Sequence, residues 1–227
     1  MVAGKMLMLR CSVPKVLMVL AHPDDEIIFG WPIFQDDNYQ KTILMCSTDE
    51  NNPDRQWCKH RKQSLAKICS IKNVPLYCLA NNSSFYRTPT RRPKNLPRNE
   101  MGDSQAPFRK MCDEISNIIL KVEKNFDFVF THNPYGEYGH MDHKLLFDIV
   151  LKTTTKPILI TDINLSSNWS KKIKKVDKLE KMCYNDLYKK NCTLNRDQYE
   201  EFKKIYVDDG VWTWSRETPI QCNLYTI

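Results

Sequence analysis

Four of the five histidines in this chain fall in two short segments. One is Ala21-His22-Pro23-Asp24-Asp25-Glu26. The other runs Thr131-His132-Asn133-Pro134-Tyr135-Gly136-Glu137-Tyr138-Gly139-His140-Met141-Asp142-His143. Imidazoles and carboxylates are the ligands of a catalytic metal site, where two His and one carboxylate leave a position open for water. His140 and His143 are three apart, so a helix would put them on one face. The spacing allows His22, Asp25 and one of His140 or His143 as ligands. Asp24 and the other histidine would then be free to act as base and electrophilic helper.

Each segment alone has an ordinary reading. Pro23 followed by acids suits a helix N-terminus, and the Gly-His-Met-Asp-His run suits an exposed turn. Their joint occurrence carries the metal reading, because each segment directly follows a short apolar run. His132 reads as either a pocket residue or a hydrogen-bonded structural histidine, and His60 as a solvated helix residue.

The surrounding elements explain how the segments would meet. Lys15–Ala21 reads as a strand buried on both faces. Further strands are expected at Thr42–Ser47, Val74–Leu79, Asp127–Thr131 and Pro157–Ile160. Helices are expected at 26–35, 54–70, 107–124 and 140–152, with a long loop over 80–105. Strands alternating with helices indicate βαβ units and a mostly parallel sheet. The expected class is therefore α/β, a Rossmann-like three-layer fold forming one domain over residues 1–227. Its motif-bearing core is about 15–160. A C-terminal extension, about 161–227, should hold a helix at Lys178–Asn191 and short strands at Val211–Trp214 and Ile220–Tyr225. Trp212 and Trp214 alternate along the first of these, which suggests core packing more than a sugar platform. In a parallel sheet both histidine segments leave at the carboxyl edge, where ligands bind.

At these residues the sequence resembles the LmbE-like or PIG-L superfamily of zinc-dependent N-acetylglucosaminyl deacetylases. The resemblance covers about residues 15–160 and rests on Ala-His-Pro-Asp-Asp-Glu paired with Tyr-Gly-His-Met-Asp-His. Ser64 stands where the family has Glu, and Met141 where Pro is common. The resemblance implies His22, Asp25 and His143 as zinc ligands, with Fe2+ able to use the same donors. It implies Asp24 as general base and His140 as a cationic helper supported by Asp142. Tyr138 would bind the oxyanion, and Arg61 would contact substrate. The implied reaction is removal of acetyl from an N-acetyl amino sugar in a glycoconjugate or sugar-nucleotide pathway. Two alternatives stand beside it, a zinc amidase on a non-sugar or thiol-conjugate amide and a catalytically silent sugar binder. Asp24 argues against the latter, since a binder needs no spare carboxylate beside the metal.

Composition narrows the rest. Charged residues make up 27% and hydrophobic ones 41% of 227 residues, an ordinary globular balance. Six glycines cannot write either phosphate-cradle fingerprint. Net charge is +7, concentrated partly in Arg87, Arg91, Arg92, Lys94 and Arg98. Arg91 and Arg92 are candidate contacts to a phosphate-bearing substrate, with a mobile surface loop as the competing reading. No nucleic-acid module is recognisable, so no nucleic-acid partner is expected. Nine cysteines, an odd count without regular spacing, indicate a reducing compartment and a cytoplasmic location. The N-terminal apolar stretch is broken by Lys5, Arg10, Pro14 and Lys15, so no membrane span is expected.

Overall fold

The computed structural model describes residues 12–49, 57–81, 106–163, 169–182 and 189–227. Seven strands form one sheet: β1 (Lys15–Leu20), β2 (Gln40–Met45), β3 (Leu76–Cys78), β4 (Phe128–Phe130), β5 (Ile158–Thr161), β6 (Lys189–Thr193) and β7 (Gln221–Thr226). Their order is β3-β2-β1-β4-β5-β7-β6. The pairs among β1–β5 are parallel, while β7 runs antiparallel to both β5 and β6. The helices are α1 (Asp25–Ile28), α2 (Trp31–Phe34), α3 (Trp57–Ile71), α4 (Ala106–Val122), α5 (Met141–Thr153), α6 (Trp169–Met182) and α7 (Arg196–Asp208). The expected α/β architecture with a C-terminal extension is the architecture found. Among the described residues no helix is long and apolar enough to cross a membrane.

Alternation along β1 builds both halves of the core. Val16, Met18 and Leu20 face one apolar cluster with Ile43, Met45, Leu65, Ile68, Phe202 and Tyr206. Leu17, Val19 and Ala21 face a second with Ile115, Ile119, Leu146, Val150 and Leu179. Successive side chains of a strand point to opposite faces, so α3 and α7 cover one side of the sheet and α4, α5 and α6 the other. Gly30 lets the chain after β1 lie close to the sheet, since a Cβ there would come within 2.9 Å of the Met18 methyl and 3.1 Å of the Glu26 carbonyl oxygen.

β1 has β2 on one side and β4 on the other. The chain winds outward in both directions from this pair, which makes it a topological switch point. The segments after β1 and β4 therefore open from adjacent strands at one sheet edge.

Several boundaries differ from expectation. The helix expected at 26–35 is two single turns, α1 and α2, separated at Gly30. The helix expected at Lys178–Asn191 is α6, which begins at Trp169, and Lys189–Thr193 is instead the edge strand β6. Val211–Trp214 forms no strand and, among the described residues, pairs with none of β1–β7. The helix α7 was not expected at all. Of the 80–105 loop, residues 82–105 lie outside the described residues, and Arg91 and Arg92 with them.

Candidate metal and catalytic site

The end of β1 turns sharply into α1. Asp24 is the N-cap residue at φ 100, in the left-handed region. Such a conformation is costly for a residue with a Cβ and marks a constrained site. The turn buries three consecutive acids, with Asp24 3%, Asp25 2% and Glu26 0% exposed. After β4 the chain turns through Gly136 at φ 61, Glu137 at φ 52 and Gly139 at φ 105. A Cβ at Gly136 would lie 2.3 Å from the His140 carbonyl oxygen, so the turn requires glycine there.

The two turns interlock around Asp25. Its Oδ2 lies 3.7 Å from His22 Nδ1 and 3.6 Å from His143 Nε2. The opposite nitrogen of each imidazole is held by a carboxylate. His22 Nε2 is 2.8 Å from Asp142 Oδ2, and His143 Nδ1 is 2.5 Å from Glu137 Oε2. This is the arrangement of metal-ligating histidines, whose second nitrogen is fixed by an outer carboxylate. Two overlapping triplets place their donor atoms within 4.8 Å of one another: His22, His140 and His143, and Asp25, His132 and His143. The three expected ligands are thus neighbours, divided between triplets that share His143.

His132 stacks on His143 with ring centroids 3.8 Å apart. Its Nε2 lies 3.1 Å from the Ala21 nitrogen and 3.3 Å from Asp25 Oδ2, and although burial opposes it, Glu137 and Asp25 push the ring up to about 10. It therefore ties the end of β1 to the end of β4, consistent with the structural reading.

Asp24, Asp25, Glu26, Glu137 and Asp142 are all buried, with Arg61 paired to Asp24 Oδ2 and burial pushing the Glu26 carboxyl up to about 8. Buried carboxylates persist only when paired or bound to a metal. Burial works against the Asp25 charge, but His143, His132 and His22 hold it well below the usual carboxylate range. Glu137 is likewise held down, to about 2, because His132 and His143 outweigh its burial. His22 is pushed up to about 9 although burial opposes it, since Asp142 and Asp25 favour its charged form. Burial and the neighbouring His132 lower His143, which favours the neutral imidazole a metal ligand needs. The imidazole and carboxylate donors suit a divalent cation, which would have to displace the proton that Asp142 and Asp25 favour on His22.

Asp24 titrates closer to neutral pH than an ordinary carboxyl. Burial, opposed by Arg61 and aided by the Asp25 charge, pushes its carboxyl up to about 6. A base is most effective with a pKa near working pH.

Two expected partnerships are corrected. Asp142 sits on His22 at 2.8 Å, while His140 Nδ1 is 3.9 Å from it. His140 is the N-cap of α5, and its Nδ1 accepts the Asp142 N–H at 3.3 Å. That contact engages the Nδ1 lone pair. The helix N-terminus disfavours a cation, and burial with His143 and His22 alongside pushes His140 down to about 4. These surroundings favour the neutral ring over the cation expected for it.

Arg61, expected on substrate, is placed against Asp24. Tyr138 is 41% exposed, its ring 5.7 Å from that of His140. Sequence reasoning gave Glu137 no role and read Trp214 as core packing more than a sugar platform. Glu137 could have been found by asking which acid orients His143. Trp214 packs on Tyr138 and Phe29, with ring centroids 5.3 Å away in each case. The exposed Arg216 lies over Tyr138 at 5.3 Å and over Trp214 at 5.9 Å. Nothing in the sequence links position 214 to position 138.

Known proteins share the motif-bearing segment and the fold. The PIG-L model, described as GlcNAc-PI de-N-acetylase, matches residues 17–154. A relative from Acanthamoeba polyphaga mimivirus, uncharacterized protein L374, is 31% identical over 146 residues, 59% of this chain and 56% of its own length. The chain thus spans little more than half of that relative. Among solved structures, the fold is similar to a deacetylase–bog complex from the teicoplanin biosynthesis pathway. The TM-score is 0.60 at 13% identity, covering 93% of this chain and 97% of the other. Teicoplanin deacetylase Orf2 in its zinc-inhibited form gives 0.58 at 13% identity with the same coverage. The A40926 pseudoaglycone deacetylase Dbv21 gives 0.55 at 12% identity, covering 95% and 98%. With the paired motifs, the buried histidine–carboxylate cluster and a family match over more than half its length, this chain belongs to the PIG-L, GlcNAc-PI de-N-acetylase, family.

Proposed function

We propose that this protein is a divalent-metal-dependent N-deacetylase that hydrolyses the acetamide of an N-acetyl amino sugar. The observation that carries the reading is the convergence of His22 Nδ1 and His143 Nε2 on Asp25 Oδ2, with Asp142 and Glu137 holding the opposite nitrogens. A divalent ion held by His22, Asp25 and His143, Zn2+ first and Fe2+ second, would supply Lewis acidity toward the acetyl carbonyl and the attacking water.

The remaining steps belong to the chain. Asp24 takes a proton from the attacking water as the C–O bond forms. Its pairing with Arg61 fixes the direction of the carboxylate. The neutral His140 donates through Nε2 to the developing oxyanion, and the Tyr138 hydroxyl donates to the same oxygen. Burial pushes the Tyr138 phenol up, so it keeps its proton for that purpose. Asp24 then delivers its proton to the leaving nitrogen as the C–N bond breaks, giving acetate and a free amine.

The sugar reading is supported by Tyr138 and its neighbours. Tyr138, Trp214 and Arg216 form an aromatic and cationic rim, and aromatic faces suit the apolar face of a pyranose. The phosphate contact proposed for Arg91 and Arg92 concerns residues outside those described. The test is to incubate metal-loaded protein with a panel of N-acetylhexosamine conjugates beside N-acetylated non-sugar amines. The reading predicts acetate release from the sugars; release from the non-sugar amides alone would overturn the substrate class.

A further inference from the structure

We propose that Tyr206 and Asp209, at the C-terminal end of α7 and outside the segment that carries the family motifs, are positioning residues for Asp24. The proposal rests on the reading of Asp24 as the base. Asp24 holds a left-handed backbone without being glycine, a state that persists only when its surroundings over-determine it. Its contacts lead to α7 from two directions.

The first route runs through the backbone. The Asp24 N–H donates to Glu26 Oε2 at 2.9 Å. The other oxygen of that carboxylate, Oε1, accepts the Tyr206 hydroxyl at 2.7 Å. Glu26 and Tyr206 are both 0% exposed. With both groups sealed from solvent, the hydroxyl fixes where Glu26 sits, and Glu26 fixes the Asp24 amide. Removing the buried hydroxyl leaves a Glu26 oxygen without its partner, which drives rearrangement.

The second route runs through the side chain. The Asp24 carboxylate pairs with Arg61 on α3. One turn later, Ser64 donates to Asp209 Oδ2 at 2.7 Å, and Lys67 Nζ lies 2.8 Å from both Asp209 oxygens. Asp209 caps α7 and so pins α3 at the level from which Arg61 reaches the base. The C-terminal helix thereby sets both the backbone conformation and the carboxylate direction of a residue 182 positions upstream of Tyr206.

The test uses Tyr206→Phe, which keeps the ring, and Asp209→Ala at the half-buried end of α7. A crystal structure of each full-length variant reads the effect without turnover. Asp24 should leave the left-handed region in Tyr206→Phe, and its carboxylate should turn in Asp209→Ala; an unmoved Asp24 in both overturns the proposal. Kinetics on an N-acetylglucosamine conjugate separate positioning from general stabilisation. Each variant should retain its metal, change KM by less than about twofold and lose on the order of tenfold in kcat. In an Asp24→Asn background neither should lower the residual rate further, since residues acting as a unit are non-additive. Losses that multiply with Asp24→Asn would overturn the positioning role. An inactive Asp24→Asn beside fully active α7 variants would overturn this inference alone. An Asp24→Asn enzyme as fast as wild type would overturn the base assignment and this inference with it.

Discussion

Glu137 Oε2 lies 2.5 Å from His143 Nδ1, with both side chains 1% exposed. The same carboxylate lies 3.3 Å from His132 Nδ1, while its Oε1 accepts the Asn133 N–H at 3.0 Å. Glu137 therefore fixes which nitrogen of His143 faces Asp25. An outer carboxylate of this kind is typically worth about 10- to 100-fold in metal affinity. Glu137→Gln should weaken metal binding by that order while the protein stays folded, read by competition with a chelator. Unchanged affinity would remove Glu137 from the metal apparatus.

Asp24 and Asp25 are adjacent but should give opposite phenotypes. Asp24→Asn should keep its metal and lose at least ~10²-fold in kcat, the usual scale for an acid–base residue. Asp25→Ala should lose metal. Measuring metal content and rate on the same preparations decides the assignment, and swapped phenotypes would reverse it.

Much of this site was legible in the sequence because β1 and β4 are continuous apolar runs buried on both faces, each ending directly in a histidine segment. Parallel order then forces the two segments to one edge. What was missed depends on contacts between distant positions. Glu137 looks like a turn acid until His143 folds back over it. Trp214 was read as a strand residue because Val211–Trp214 alternates, yet among the described residues that segment pairs with none of β1–β7. In β6, four of five residues are exposed, so the segment shows no strand period, and its lysines continued the amphipathic pattern of α6. The buried face of α7 consists of Tyr199, Phe202 and Tyr206 among charged residues, which is too sparse an apolar stripe to announce a helix. Its start signal was present, since Asn195 caps it by accepting the Gln198 N–H at 3.2 Å.

Trp214 should matter for substrate and not for metal. It shares the rim with Tyr138 and Arg216. Aromatic contacts of this kind contribute about 0.5–1.5 kcal/mol, so Trp214→Ala should raise KM for an N-acetyl sugar by about two- to tenfold with metal content unchanged. An unaltered KM would return Trp214 to core packing alone.

Stability in acid can be checked away from the site. Glu123 accepts from the Thr154 hydroxyl at 2.5 Å and from the Thr155 N–H and hydroxyl at 3.1 Å each. Burial acts to raise its carboxyl, but these hydrogen bonds outweigh it and hold the pKa below the usual glutamate value. A depressed folded pKa gives stability that is present above the unfolded pKa and lost as pH falls through the folded one. Glu123→Gln should therefore cost about 1 kcal/mol at pH 7, with the difference closing in acid. Denaturant unfolding of both proteins at neutral and acidic pH measures this, and a difference independent of pH would contradict it.

The central claim is that His22, Asp25 and His143 hold one divalent ion. Elemental analysis of protein purified without chelator tests it most directly, with wild type beside His22→Ala, Asp25→Ala, His143→Ala and Asp24→Asn. The account predicts about one metal per chain in wild type and Asp24→Asn, and a clear loss in the other three. Equal metal in all five proteins, or a wild type that takes up none when Zn2+ or Fe2+ is supplied, would contradict it.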